Sequence, residues 1–214
     1  MSPVVEQLEL GPIGTNCYVV RSGPGATEAV VVDPSGDPAA ILVRLAEARA
    51  HCVAILITHG HWDHLVGVAD LADAGAPVYM AEDERVLLEN PSAFSPPSVV
   101  IRPYTPDVLL NGGETLELAG MTFDVTAVPG HSPAHLAYHS GGALFSGDVL
   151  FAGSVGRTDL PGADWETLLA SIRALVDTYP PETVVYPGHG PATTLGAELA
   201  RNPFLAELRA ERQA

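Results

Sequence analysis

The chain has no lysine. Its ten basic residues are all arginine, they face 26 acids in 214 residues, and the formal charge is −16. Without an ammonium side chain, Schiff-base chemistry and the phosphate-cradling P-loop are excluded. No two arginines are adjacent. An acidic chain without a basic patch repels a phosphate backbone, so nucleic acid is not an expected partner. Cysteine is nearly as scarce. Cys17 and Cys52 cannot build a disulfide framework and match no zinc-binding spacing, and they read as small buried side chains. No stretch approaches the ~18 apolar residues of a membrane span. The opening Met1-Ser2-Pro3-Val4-Val5-Glu6 lacks a basic segment followed by an apolar one. The expectation is a soluble, cytoplasmic protein with no membrane partner.

What is present is a globular composition, 47% apolar and 17% charged. At ~100–200 residues per domain, the length suits a single domain over residues 1–214. Short apolar runs bounded by turn residues predict strands at Val4–Leu10 and at residues 16–21, 29–32, 53–57 and 78–81. A second series follows at 114–118, 121–128, 136–139, 143–145 and 184–186. Apolar residues at helical spacing predict helices over 38–50, 63–74, 82–90, 165–179, 194–201 and 204–212. Asp37 and Asp164 stand at N-cap positions, and Pro38 suits the first helical position. Residues 91–106 contain five prolines and read as a surface loop. Strands and helices are mixed through both halves, which calls for a layered α/β fold with helices outside.

The densest local signal is Thr58-His59-Gly60-His61-Trp62-Asp63-His64, which holds three of the eight histidines. On a helix His59 and His61 would point about 200° apart. On an extended segment they share one side and can face one metal. Asp63 and His64 follow at a predicted helix start, where they can face a second. Three later apolar runs end alike, in Pro129-Gly130-His131, Ser146-Gly147-Asp148 and Pro187-Gly188-His189. A glycine before each donor lets the backbone turn sharply and come close. Open α/β sheets bind ligands beyond the carboxyl ends of their strands. Seven donors of nitrogen and oxygen type exceed one tetrahedral metal and suit two, with Asp148 as the natural bridge. Zn²⁺ is the expected ion, with iron or Mn²⁺ as alternatives.

This set, in this order, resembles the metallo-β-lactamase superfamily. The segments Gly11-Pro12-Ile13-Gly14-Thr15-Asn16-Cys17-Tyr18, Val32-Asp33-Pro34, Pro129-Gly130-His131-Ser132-Pro133, Gly147-Asp148-Val149-Leu150-Phe151 and Gly156-Arg157-Thr158-Asp159 resemble its glyoxalase II-like branch, in particular short single-domain bacterial members. The resemblance implies a four-layer αββα sandwich of two mixed sheets flanked by helices. It assigns His59, His61 and His131 to one metal and Asp63, His64 and His189 to the other, bridges them with Asp148, and makes Asp33 an orienting carboxylate behind a ligand. No C-terminal glutathione-binding helical domain is expected, and the family's thiol-binding residues have no counterpart here.

The activity implied is hydrolysis of a thioester such as a 2-hydroxyacyl thioester, S-lactoylglutathione being an example. Paired metals lower the pKa of a bridging water towards ~7 and so supply a hydroxide nucleophile. Asp63 and Asp148 would be the catalytic carboxylates. Thr58 and Cys17 read as structural, which leaves no Ser or Cys nucleophile. Persulfide dioxygenases are similar to the same branch and use one iron on two His and one carboxylate, here His59, His131 and Asp148. β-Lactam hydrolysis is disfavoured because familiar dinuclear enzymes place Cys or other ligands where Asp148 stands. A purely structural metal would sit in a closed, Cys-rich set of four. His51 and His139 read as surface residues, His135 as a packed or hydrogen-bonded strand histidine rather than a pocket residue, and Arg157 as a substrate contact or as one half of a buried pair with Asp159 or another carboxylate.

Overall fold

A computed structural model describes residues 2–212. The first six strands are β1 (Val4–Leu10), β2 (Thr15–Arg21), β3 (Glu28–Val32), β4 (His51–Leu56), β5 (Val78–Ala81) and β6 (Val108–Leu110). They form one sheet in sequence order, antiparallel through β3 and parallel from β3 to β6. Parallel pairing needs crossovers. These are α1 (Pro38–Glu47), the short pair α2 (Trp62–Leu65) and α3 (Val68–Ala72), and α4 (Arg85–Glu89).

The second sheet takes β7 (Thr115–Leu118), β8 (Met121–Ala127), β9 (Leu136–Ser140) and β10 (Ala143–Gly147). A small hairpin follows, β11 (Leu150–Phe151) with β12 (Ser154–Val155), then α5 (Trp165–Thr178), β13 (Val184–Pro187), β14 (Thr193–Thr194), α6 (Leu195–Arg201) and α7 (Ala206–Glu211). The order is β14-β13-β10-β9-β8-β7, with only β10 and β13 parallel.

The strand alternation of side chains sorts the apolar residues into three layers. Tyr18, Val20, Val30 and Leu56 face Phe123, Val125, Tyr138 and Phe145 between the sheets. Val19, Val31 and Ile55 point the other way, onto Ile41, Leu45, Val68 and Leu71 of the helices. On the far side Ala137, Leu144 and Val185 meet Leu168, Ile172, Leu175 and Leu195. The expected helix–sheet–sheet–helix sandwich is therefore the observed one. β2 is buried along its full length because both its faces are covered.

Asp37 and Asp164 cap their helices through Ala39 N at 2.9 Å and Thr167 N at 2.8 Å. Elsewhere tertiary contacts override helical periodicity. The helix expected over 63–74 is broken into α2 and α3 because Gly67 lies against Pro34, whose carbonyl accepts the Gly67 amide at 2.7 Å. The helix expected over 82–90 opens as a 3-10 turn, Glu82–Glu84, that turns Glu84 inward before α4 begins. β6 and the β11–β12 hairpin are too short to show a period. His51 is exposed as expected, whereas His139 is half-buried and stacks on Tyr179 at 4.3 Å, and Cys52 is only partly buried beside the fully buried Cys17.

Candidate metal centre

All seven predicted donors converge at one edge of the sandwich, beyond the carboxyl ends of β4, β8, β10 and β13. His59 Nε2 and His131 Nε2 each lie 2.9 Å from His61 Nδ1. On the other side Asp63 Oδ2 is 3.3 Å from both His64 Nε2 and His189 Nε2. Asp148 stands between the two trios, its Oδ1 3.6 Å from His64 Nε2 and its Oδ2 3.5 Å from His131 Nε2 and 3.6 Å from His189 Nε2. Three overlapping groups, His59–His61–His131, His59–His64–Asp148 and Asp63–His64–His189, could each hold a metal ion.

The tautomers agree with that use. Thr58 Oγ1 donates to Asp33 Oδ2 at 2.7 Å, so its lone pair is left to accept from His59 Nδ1 at 3.1 Å. His131 Nδ1 donates to the Arg157 carbonyl at 2.9 Å. Both rings therefore present a bare Nε2 to His61 Nδ1, which has at most one proton to offer. His64 Nε2 and Asp148 Oδ1 are buried with no hydrogen-bond partner. The bare Nε2 atoms of His59 and His131 and the unpartnered Asp148 Oδ1, crowded together and buried, fit an electron-poor centre, and the donor set fits a divalent cation.

Burial and the surrounding imidazoles push His59 well below the ordinary histidine range and His61 down to about 4, so both are neutral at pH 7. Burial alone would raise the carboxyls of Asp63 and Asp148. His64 together with hydrogen bonds from His189 and Thr15 outweighs it at Asp63, and His64 together with His189 and His131 outweighs it at Asp148, so both stay below the usual carboxylate range. For His64 burial is opposed by Asp33, Asp148 and Asp63, which hold it well above the ordinary value.

Backbone detail sets the donors. Gly188 passes so close to Asp148 that a Cβ there would lie 2.0 Å from Oδ1. Gly147 has φ +48°, and a Cβ there would lie 2.5 Å from Thr58 Oγ1. Behind the donors, Asp33 accepts from His64 Nδ1 at 3.0 Å and from the Thr58 amide at 2.8 Å, and is fully buried at φ +48°. It thus lies directly behind the His64 ring. His135 stacks on His59 at 4.5 Å and accepts the Asp148 amide at 3.1 Å, so it is hydrogen-bonded into the centre. Arg157 does pair with Asp159, at 2.6 and 2.8 Å, though in the open and not buried.

Two groups escaped the sequence reading. Thr15 donates to Asp63 Oδ2 at 2.7 Å, and its place in the Gly11–Tyr18 segment was the available signal. Glu84 accepts the Gly60 amide at 2.5 Å and the Ala134 amide at 2.9 Å, and no pattern in the sequence marks it.

Residues 10–189 match the model of the metallo-beta-lactamase superfamily. Among curated proteins, the hydroxyacylglutathione hydrolase GloC of Haemophilus influenzae is 35% identical over 210 residues, covering 94% of this chain and 97% of that protein. Among solved structures, the BLEG-1 B3 metallo-beta-lactamase superposes with a TM-score of 0.89 at 41% identity, over 95% of this chain and all of that one. TTHA1623, solved in a di-iron-bound form, has a TM-score of 0.81 at 42% identity, over 96% and 100%.

Proposed function

The chain belongs to the metallo-beta-lactamase superfamily, and from that premise we propose that it is a dinuclear metallohydrolase that cleaves thioesters. The observation that carries the proposal is the position of Asp148, one carboxylate reaching towards two separate trios of donors. His59, His61 and His131 would hold one cation and Asp63, His64 and His189 the other, with Asp148 shared. Zinc is the proposed ion, and the di-iron form of TTHA1623 keeps iron as a candidate. When bound, the two cations supply a water acidified to near-neutral pH and an electrophile for the scissile carbonyl.

The rest of the work belongs to the chain. Asp63, anionic and fixed by Thr15 and His189, orients the attacking water at the cavity floor. Water oxygen adds to the acyl carbon and its protons pass to solvent. The C–S bond breaks, and sulfur leaves with its electron pair, giving a carboxylate and a thiolate that solvent protonates. A thiol has a pKa near ~8.5, so the thiolate leaves without a strong acid at its side. Asp33 and the Arg157 carbonyl hold His64 and His131 in the ring orientation that points Nε2 inward. The similarity to GloC supports a hydroxyacyl thioester as the substrate class.

The test is thiol release from S-lactoylglutathione and from simple acyl thioesters by zinc-loaded protein, beside elemental analysis. Two metals per chain with turnover is the expected result; no hydrolysis of any thioester rejects the reading. The similarity to BLEG-1 supports a second reading, β-lactam hydrolysis, which a chromogenic cephalosporin on the same preparation tests. One iron per chain with oxygen uptake on a persulfide would instead identify the dioxygenase.

A further inference from the structure

Five of the donors, His61, Asp63, His131, Asp148 and His189, lie on the floor of a cavity of about 900 Å³. Its walls include Ile13, Val86, Leu87, Phe94, Phe151 and Leu160. Ile13, Val86 and Phe94 remain 53%, 43% and 51% exposed, although each is apolar. Single exposed apolar residues are ordinary. These three come from the β1–β2 turn, from α4 and from the segment after it, and they meet on one cavity. Charge on the walls runs the other way. Asp83 adds an exposed carboxylate, and Arg157 is the one arginine among the described lining residues. Its guanidinium is paired with Asp159 through Nε and Nη2, so any anion must compete with that carboxylate for it.

We propose that this chamber selects thioesters whose carrier thiol is uncharged and apolar, and disfavours carriers bearing carboxylates or phosphates. The proposal rests on the thioester reading above. An apolar carrier would trade water for the six apolar walls. An anionic carrier such as glutathione or coenzyme A would bring its charge to a rim that holds Asp83 and an arginine already paired with Asp159, on a chain of charge −16.

The experiment attaches one acyl group, lactoyl, to benzyl mercaptan, N-acetylcysteamine and glutathione. The expected kcat/KM falls in that order, by roughly tenfold or more from first to last. Added salt screens repulsion and raises kcat/KM for the glutathione thioester while leaving the benzyl thioester unchanged. Phe94→Ala lowers the benzyl-to-glutathione ratio, and Val86→Arg lowers it by improving the glutathione thioester. Binding is read separately, by quenching of Trp62 on the cavity wall in a Trp165→Phe background, with non-hydrolysable benzyl and glutathionyl thioethers. Equal binding and equal turnover of the benzyl and glutathione compounds overturn the proposal and leave the thioester reading standing. Preferential binding of the benzyl thioether with no thioester turned over upholds the chamber's selectivity and rejects the reading beneath it.

Discussion

The carboxylate of Glu84 receives the amide of Gly60 at 2.5 Å, inside the sandwich, where Glu84 is 2% exposed. Its other oxygen receives the Ala134 amide at 2.9 Å. Gly60 separates His59 from His61, and Ala134 lies three residues after His131. One side chain thus ties the donor loop of the first sheet to that of the second. Glu84→Ala strands two buried N–H groups at about 1–3 kcal/mol each. The expected loss is about 2–6 kcal/mol in urea unfolding, with roughly 10–100-fold weaker zinc binding. Glu84→Gln keeps one acceptor and loses less. Unchanged stability of the alanine variant would show that the clamp carries nothing.

Asp148 is the bridge that the dinuclear proposal requires. Asp148→Ala should reduce the zinc content from two to at most one per chain and lower kcat/KM by roughly 100–1,000-fold, an effect of the size seen when an electrostatic catalytic group is removed. Atomic absorption beside a thiol-release assay reads both. A variant that retains two zinc ions refutes the bridge.

Asp33 is held at φ +48°, a conformation that asparagine adopts more readily than most residues. Asp33→Asn therefore keeps the turn. It replaces one acceptor oxygen by an NH₂ that cannot receive His64 Nδ1–H or the Thr58 donors. The expected outcome is roughly 10–100-fold weaker zinc binding with little loss of fold, by competition against a chromophoric chelator and by circular dichroism. Wild-type affinity would leave Asp33 a turn residue only.

The metal-free protein should be most stable near pH 6.5. His59, His61 and His135 are held below the ordinary histidine value, chiefly by burial. Below about 6.5 the unfolded chain takes up protons that these folded rings refuse, so stability falls with falling pH, over a window reaching about 4 for His61. His64 and His189 are raised, His64 by its three aspartates and His189 first by its hydrogen bond to Asp63. Their stabilisation is complete below about 6.5 and is lost as pH rises through their folded values. Thermal unfolding of chelator-treated protein across this range reads both arms. Stability that rises steadily towards acid would contradict the buried, neutral imidazoles.

Much of the centre was legible beforehand because its signals are local. A donor two residues from another on an extended segment faces the same side, and a glycine before a donor marks a backbone that must turn and approach. His59, His61, His131, Asp148 and His189 all carry such marks, and so do the N-caps Asp37 and Asp164. The helix over 63–74 misled because its periodicity is genuine; the contact between Gly67 and Pro34 that breaks it joins residues far apart in the chain.

The sequence by itself determined which side chains could bind metal, at which strand ends they emerge, and that their backbone must be bare enough to come together. Only the tertiary structure decided which atoms meet: that the Asp148 carboxylate reaches atoms of both trios, that Glu84 buckles two loops 24 and 50 residues away, and that Ile13, Val86 and Phe94 line one cavity. Spacing along a chain reports neighbours within a turn or a strand. A buried carboxylate finds its partners through the packing of two sheets, and no period in the sequence encodes that distance.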